Sequence, residues 1–557
     1  MGRRTRKAAG IAALGVLATA GVAGAQGGKA PPAPTVYPAS QVTTDIDPSR
    51  AYNQPQMLVD PKDPDVRVIV GANYNAGTCG AQVSVDGGRT WRAGKGNAKP
   101  TEYKTCVRSD FGPYLGGAYA NGAIYLASAA DDKGGQQDVN NLYLSRSTDL
   151  GDTWQTTIIH RGKADNAFTE VNGTTKIGGE HYSLVRMGID HTNPSYVYVG
   201  ARLGIADRTP PYGLFGNVVI RGVIAVSSDG GKTFSDPVDP MANLPRNEYA
   251  GSYVPSITVA PDGVVYAAMR ERTPPSIADK PFTAGMPAGS PGSGGRLLLA
   301  SSTDHGKTWV TKSIDDSAVA GAGNTQANPE IAADPTTGKL YVIFGQRDTA
   351  TSELNVWIMS SSDGGRTWSA RTRVNHDSTA RDHTLPGVSV APNGRVDVAW
   401  ADYRNDLQFQ PAAARSAQLW WDVYYSYSAD GGKTWADDIR ISDRSMNKNE
   451  GYTFHSNYGL GGPQGVASTN AAAVFAWSDS RRGSVALPVE DYYFTTATFT
   501  SGTEPSAGAT SHTARDVALG SVITLVVVGI VVVAAYAGFG RKRPPSASSS
   551  PAASPTT

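Results

Sequence analysis

Short runs of alternating apolar and polar residues, each folded back on itself at a Pro, Gly or Asp turn, recur along this chain. Ser256–Arg270 reads SITVAPDGVVYAAMR, Glu330–Arg347 reads EIAADPTTGKLYVIFGQR and Gly387–Arg404 reads GVSVAPNGRVDVAWADYR. A period of two bounded by turn formers predicts antiparallel hairpins. Looser copies lie at Met57–Tyr74, Tyr114–Ala129 and Tyr182–Arg202, and a seventh at Gly465–Arg481. The seventh leads into DYYFTTATF (Asp491–Phe499), a further strand.

Between the hairpins a second pattern repeats six times. It reads SVDGGRTW (Ser84–Trp91), STDLGDTW (Ser147–Trp154), SSDGGKTF (Ser227–Phe234), STDHGKTW (Ser302–Trp309), SSDGGRTW (Ser361–Trp368) and SADGGKTW (Ser428–Trp435). Its aspartates, Asp86, Asp149, Asp229, Asp304, Asp363 and Asp430, mark a unit that recurs on the scale of a repeat architecture. Asp and Ser side chains accept bonds from backbone N–H groups at a tight turn, and Gly supplies the backbone conformation that other residues resist. The aromatic opens the next strand and wedges into an apolar seam. Catalysis needs its carboxylate once, not six times, so these aspartates read as structural.

The octets resemble the Asp box of sialidases and related β-propellers. Hairpin, third strand, box and fourth strand make a four-stranded blade, so the chain reads as an all-β propeller. Seven hairpins predict seven blades, with six, the count in sialidases, as the alternative. The last blade lacks its outermost strand, and TVYPASQVTT (Thr35–Thr44) is placed to fill the gap and close the ring. The resemblance further implies that the boxes lie on the face away from the active site.

The ends change the cellular picture. MGRRTRK, the apolar run Ala8–Ala23 and a small-residue triplet predict an export signal over residues 1–25. The propeller then spans 35–499 and a polar stalk 500–516. An apolar run from Val517 to Phe539, about 35 Å long as a helix, predicts one membrane span, with Arg541–Arg543 holding a disordered tail (540–557) in the cytoplasm. Net charge is only +1, and the exported part is mildly acidic, which argues against nucleic acid as partner. The two cysteines, Cys79 and Cys106, are expected to pair outside the cell. No CxxC or HExxH array is present, and no metal or other cofactor is expected; the DPKDPD turn (Asp60–Asp65) reads as a hairpin cap.

Candidate chemistry gathers where second strands end. Arg202, Arg270, Arg347, Arg404 and Arg481 occupy that place in five successive blades. Converging guanidiniums would bind carboxylates in two-pronged fashion. The alternative is structural, because Asp402 with Arg404, and Asp479 with Arg481, sit two apart and share a sheet face.

Against the sialidase pattern the match is uneven. Gly263–Arg270 resembles the family context in which a triad arginine ends a strand, so the resemblance gives Arg270 a catalytic role. The place of the family's glutamate, before Pro255, holds Val254; Glu248 lies six positions earlier, and Glu330 follows Pro329 one blade on. The N-terminal Arg-Ile-Pro motif is replaced by Asn53-Gln54-Pro55. Tyr458 is a candidate nucleophile, and Asp382 with His383 a candidate proton donor or acceptor. The expectation is a surface-tethered, sialidase-like protein that binds acidic glycans, with their hydrolysis as an exo-sialidase-like glycosidase left open. The alternative is a non-catalytic propeller for a protein partner or a cell-envelope polymer.

Overall fold

The computed structural model describes residues 33–106, 115–130, 140–163, 170–171, 174–175, 180–207, 217–244, 254–271, 296–315, 329–348, 353–410, 417–451, 465–484, 486–487 and 489–499. Export signal, stalk, apolar run and tail, together with Glu248 and Tyr458, lie outside the described residues. Among the described residues no helix is long and apolar enough to cross a membrane.

Seven antiparallel sheets follow one another along the chain as the blades of a propeller. Their strands are lettered A to D from the central channel outward. Blade 1 is built from Tyr52–Val59, Arg67–Asn73, Thr78–Ser84 and Arg92–Ala93. Blade 2 comprises Gly116–Ala120, Ala123–Ala130, Asn141–Ser147 and Gln155–Arg161. Blade 3 comprises Glu180–Ile189, Val197–Asp207 and Asn217–Ser227. Blade 4 comprises Ser256–Val259, Val265–Arg270, Leu297–Ser302 and Val310–Asp315. Blade 5 comprises Glu330–Ala333, Leu340–Arg347, Leu354–Ser361 and Thr372–Arg373. Blade 6 comprises His383–Val390, Val396–Asp402, Trp420–Ser428 and Ile439–Arg440. Blade 7 contributes Gly465–Ser468, Ala472–Asp479 and Asp491–Thr498.

Three blades depart from the expected four strands; in blade 6 a fifth short strand, Met446–Asn447, pairs with Trp420 and Trp421 of strand C. In blade 3 the outer position is reduced to a single bridge, Ile224 with Val238. In blade 7 the outer strand comes from the N-terminal segment: Thr35 and Val36 face Thr498 and Ala497, while Ser40 and Gln41 face Phe494 and Tyr493. Pairing the first segment with the last strand leaves no exposed seam in the ring.

Each box forms the same closed turn between strands C and D. In blade 1 the Ser84 hydroxyl donates to Asp86 (2.8 Å) and accepts from the Gly88 N–H (2.7 Å). The other Asp86 contacts come from the Thr90 N–H (2.9 Å) and hydroxyl (2.6 Å). The Asp–Thr pair of bonds recurs in the remaining five boxes. The first glycine of the turn has positive φ, and where it is replaced, Leu150 (57°) and His305 (58°) keep the same conformation. His305 is held there by stacking on Tyr196, ring centroids 3.7 Å apart.

The box aromatics explain why the blades stack. Trp91 meets Phe494 of blade 7 edge-on at 5.0 Å, and Trp309 packs with Tyr198 and Ile224 of blade 3. Trp368 packs with Tyr266 and Leu299 of blade 4, and Trp435 with Tyr341 of blade 5. Each box thus nails its own blade to the one before it. Burying such a ring stabilises each seam by about 1.5–3 kcal/mol. The core is this set of inter-blade layers.

Candidate functional site

Strand order puts the boxes and the A-to-B turns on one face of the ring; the B-to-C and D-to-A connections open on the other. The rim arginines lie toward the second face but do not form one cluster. Arg202 does not end its strand, which continues to Asp207; its Nε donates to Ser183 Oγ (2.9 Å). Arg270 is 1% exposed, with its guanidinium carbon 5.9 Å from the Phe344 ring centroid. Arg347 pairs with Asp382 at 3.2 Å. Arg404 contacts Asp402 and Asp438, both at 2.7 Å, and lies 3.9 Å from the Tyr424 ring centroid. Arg481 contacts Asp479 (2.7 Å) and Asp443 (2.6 Å) and covers Tyr493. Arg347 thus ties strand B of blade 5 to the connection entering blade 6, Arg404 ties strand B of blade 6 to the residue before strand D of the same blade, and Arg481 ties strand B of blade 7 to the connection entering that blade.

Asp382 is engaged in the same way. Its Oδ1 accepts from Arg347 and from the Leu354 N–H (3.0 Å), while its own N–H donates to Gln418 Oε1 (2.9 Å). Both oxygens and the N–H of Asp382 are thus engaged in bracing the connection into blade 6 against blade 5.

In the channel, Glu330, noted in the sequence after Pro329, meets Arg186, which the sequence reading did not single out. A cavity of about 90 Å³ in the channel is lined by Gln56 and Met57 of blade 1, Arg186 of blade 3, Glu330 and Ile331 of blade 5, and the A strands of blades 6 and 7. Arg186 donates to Glu330 Oε1 through Nε (3.2 Å) and an Nη (2.9 Å), and Ser256 of blade 4 donates to Oε2 (2.7 Å). Three consecutive blades therefore meet on one carboxylate. Arg186 is hidden in the sequence because it lies inside an otherwise apolar strand, YSLVRMGI. A lone charge inside such a run was the available signal.

The inner strands are bent to present these groups. Gln54 (φ 56°), Leu184 (φ 52°) and Leu385 (φ 51°) are non-glycine residues in the left-handed region. Each coincides with a register shift in its A strand, and each lies two residues before a cavity-lining residue, Gln56, Arg186 or Gly387. A bulge re-aims the side chains that follow it, at a cost of about 1–3 kcal/mol in backbone strain. Glycine makes the close approach possible: a Cβ on Gly465 would lie 3.0 Å from the Met57 nitrogen, and one on Gly116 2.9 Å from the backbone of Arg186.

A second polar cluster sits in the seam between blades 5 and 6. His383 is fully buried; its Nδ1 lies 3.0 Å from the Leu354 carbonyl, and its Nε2 2.7 Å from Asp377 and 3.5 Å from Asp402. Burial pulls the imidazole's proton affinity down, but the charges of Asp402 and Asp377 outweigh it and hold the pKa above its ordinary value. Burial likewise acts to raise the Asp377 pKa, yet contacts from His383, Thr379 and Arg404 leave that carboxyl far below the usual range.

No family model matches the chain. It is 26% identical to a sialidase of Micromonospora viridifaciens over 217 residues, 34% of this chain and 29% of that protein. The chain thus spans less than a third of that relative. Among solved structures, a Hadza microbial sialidase has a TM-score of 0.42 at 14% identity, covering 79% of this chain and 74% of that one. Trypanosoma rangeli sialidase in complex with sialic acid has a TM-score of 0.39 at 14% identity, covering 73% and 55%. Ring topology and sequence likeness together define a sialidase-like, seven-bladed β-propeller.

Proposed function

We propose that this chain binds glycans at the channel mouth opposite the Asp boxes, displayed outside the cell on one helix over 517–539. The observation that carries this reading is the Arg186–Glu330 pair in a solvent-open cavity. A buried ion pair gains little stability over well-packed apolar residues, so its place on the axis argues for a ligand. Guanidinium, carboxylate and the Gln56 amide supply the donors and acceptors that sugar hydroxyls and carboxylates take up. The likeness to a sialidase points to sialic acid-bearing glycans as the first class to try.

Binding without hydrolysis is the reading favoured by Asp382, whose oxygens are taken by Arg347 and Leu354. The test is to pass the full chain, in detergent, over acidic and neutral oligosaccharides, with a fluorogenic sialoside run in parallel. Retention that Glu330→Gln abolishes in a variant that still folds supports the site. Turnover lost in Arg270→Ala would make the protein a hydrolase. Silence in both assays would leave the scaffold reading, with a protein or envelope polymer as partner.

A further inference from the structure

Both ring nitrogens of His383 face acceptors. Nδ1 meets the Leu354 carbonyl of blade 5, and Nε2 meets Asp377, on the connection into blade 6, and Asp402, at the end of strand B of blade 6. A neutral imidazole carries one N–H and one lone pair, so one of these contacts would be repulsive. Something positive must stand at Nε2: a proton or a metal ion.

Acceptor counting decides between them. Asp402 Oδ2 already accepts from Trp400 Nε1 (2.7 Å) and Arg404 (2.7 Å), and Oδ1 from the Arg404 N–H (2.8 Å). Two donors fill the in-plane lone pairs of Oδ2. A metal would be left with Asp377 and His383, too few protein ligands for a stable site. The cations already facing this pocket are Arg404, 3.5 Å from Asp377, and Arg373, 3.9 Å from it; beyond Arg404 lie Asp438 and its partner His376.

We propose that His383 is a proton-held latch, an imidazolium at neutral pH that fastens blade 5 to blade 6 and lets go as the medium turns alkaline. A raised folded-state pKa contributes stability that is complete below the unfolded value of about 6.5 and is lost as pH rises through the folded value. The latch begins the strand that reaches the cavity four residues later at Gly387, so its release frees one wall of the channel.

Nitrogen-15 labelling of the eight histidines of the full chain reads the latch directly. The expected result is one imidazole that titrates above the ordinary 6.5 and is still doubly protonated at pH 7, its signal absent in His383→Gln, and unmoved by zinc or a chelator. Asp377→Asn, which keeps the histidine and its fold, should move that titration to lower pH. A His383 signal that is neutral at pH 7, or one that shifts with zinc or chelator, overturns the proposal.

Discussion

Arg50 and Asp491 stand 441 positions apart in the sequence, yet they form a two-pronged ion pair, Nε to Oδ1 at 2.7 Å and Nη to Oδ2 at 2.9 Å. The pair lies where the chain's beginning meets its end, and Asp491 also accepts from Thr43 (2.8 Å). Arg50 is 4% exposed and Asp491 fully buried, so removing Asp491 leaves the guanidinium only the more distant, more exposed Asp45 at 3.6 Å. Asp491→Ala is therefore expected to destabilise the ring by about 3–5 kcal/mol. Denaturant unfolding of the variant beside wild type measures this; a loss below about 1 kcal/mol would mean that closure rests on the strand pairing alone.

The boxes set an acid limit. Hydrogen bonds from Thr153 and Thr233 hold the Asp149 and Asp229 carboxyls at about 2, below the ordinary 3.8. A depressed folded pKa contributes stability that is present above 3.8 and lost as pH falls through 2. Asp149→Asn should remove about one proton from the acid uptake that accompanies unfolding, read as a shallower slope of stability against pH between roughly 4 and 2. An unchanged slope would show that this carboxylate is not held in its turn.

The channel pair separates structure from function. Breaking it on one side, as in Arg186→Met, should cost about 3–5 kcal/mol because Glu330 is left buried and unpaired. The double change Arg186→Met with Glu330→Leu should recover most of that loss while glycan retention stays absent. Melting curves and retention on the oligosaccharide panel check the two halves; retention by the double variant would assign the pair to packing.

Cys79 and Cys106 are bonded, with Cα atoms 5.8 Å apart and a sequence separation of 27. Closing a loop of that size restricts the unfolded chain by about 3–4 kcal/mol. Cys79→Ser with Cys106→Ser is expected to lose that amount, largely from blade 1 and the connection leaving it, as measured by denaturant midpoint.

The same rules explain what was legible. Box residues act within one turn, so Ser84, Asp86, Gly88 and Thr90 announce their bonds in eight letters. Blade count and the reach of residues 35–44 to the last strand follow from repeats of such local units. The arginines were visible as a series, but their partners were not. Arg347 meets Asp382 and Arg481 meets Asp443 only once two connections are brought to one seam. Arg186 and Glu330 could not be paired from the chain at all, since 144 positions and two blade rotations separate them.

The chain alone therefore determined the hairpins and the turn chemistry and favoured seven blades over six, because each depends on residues a few positions apart. The tertiary structure decided which charges neutralise one another, which strand bends expose a side chain to the axis, and where His383 finds two acceptors. Those outcomes depend on distances across seams and the channel, where electrostatic strength is set by burial rather than by order in the chain.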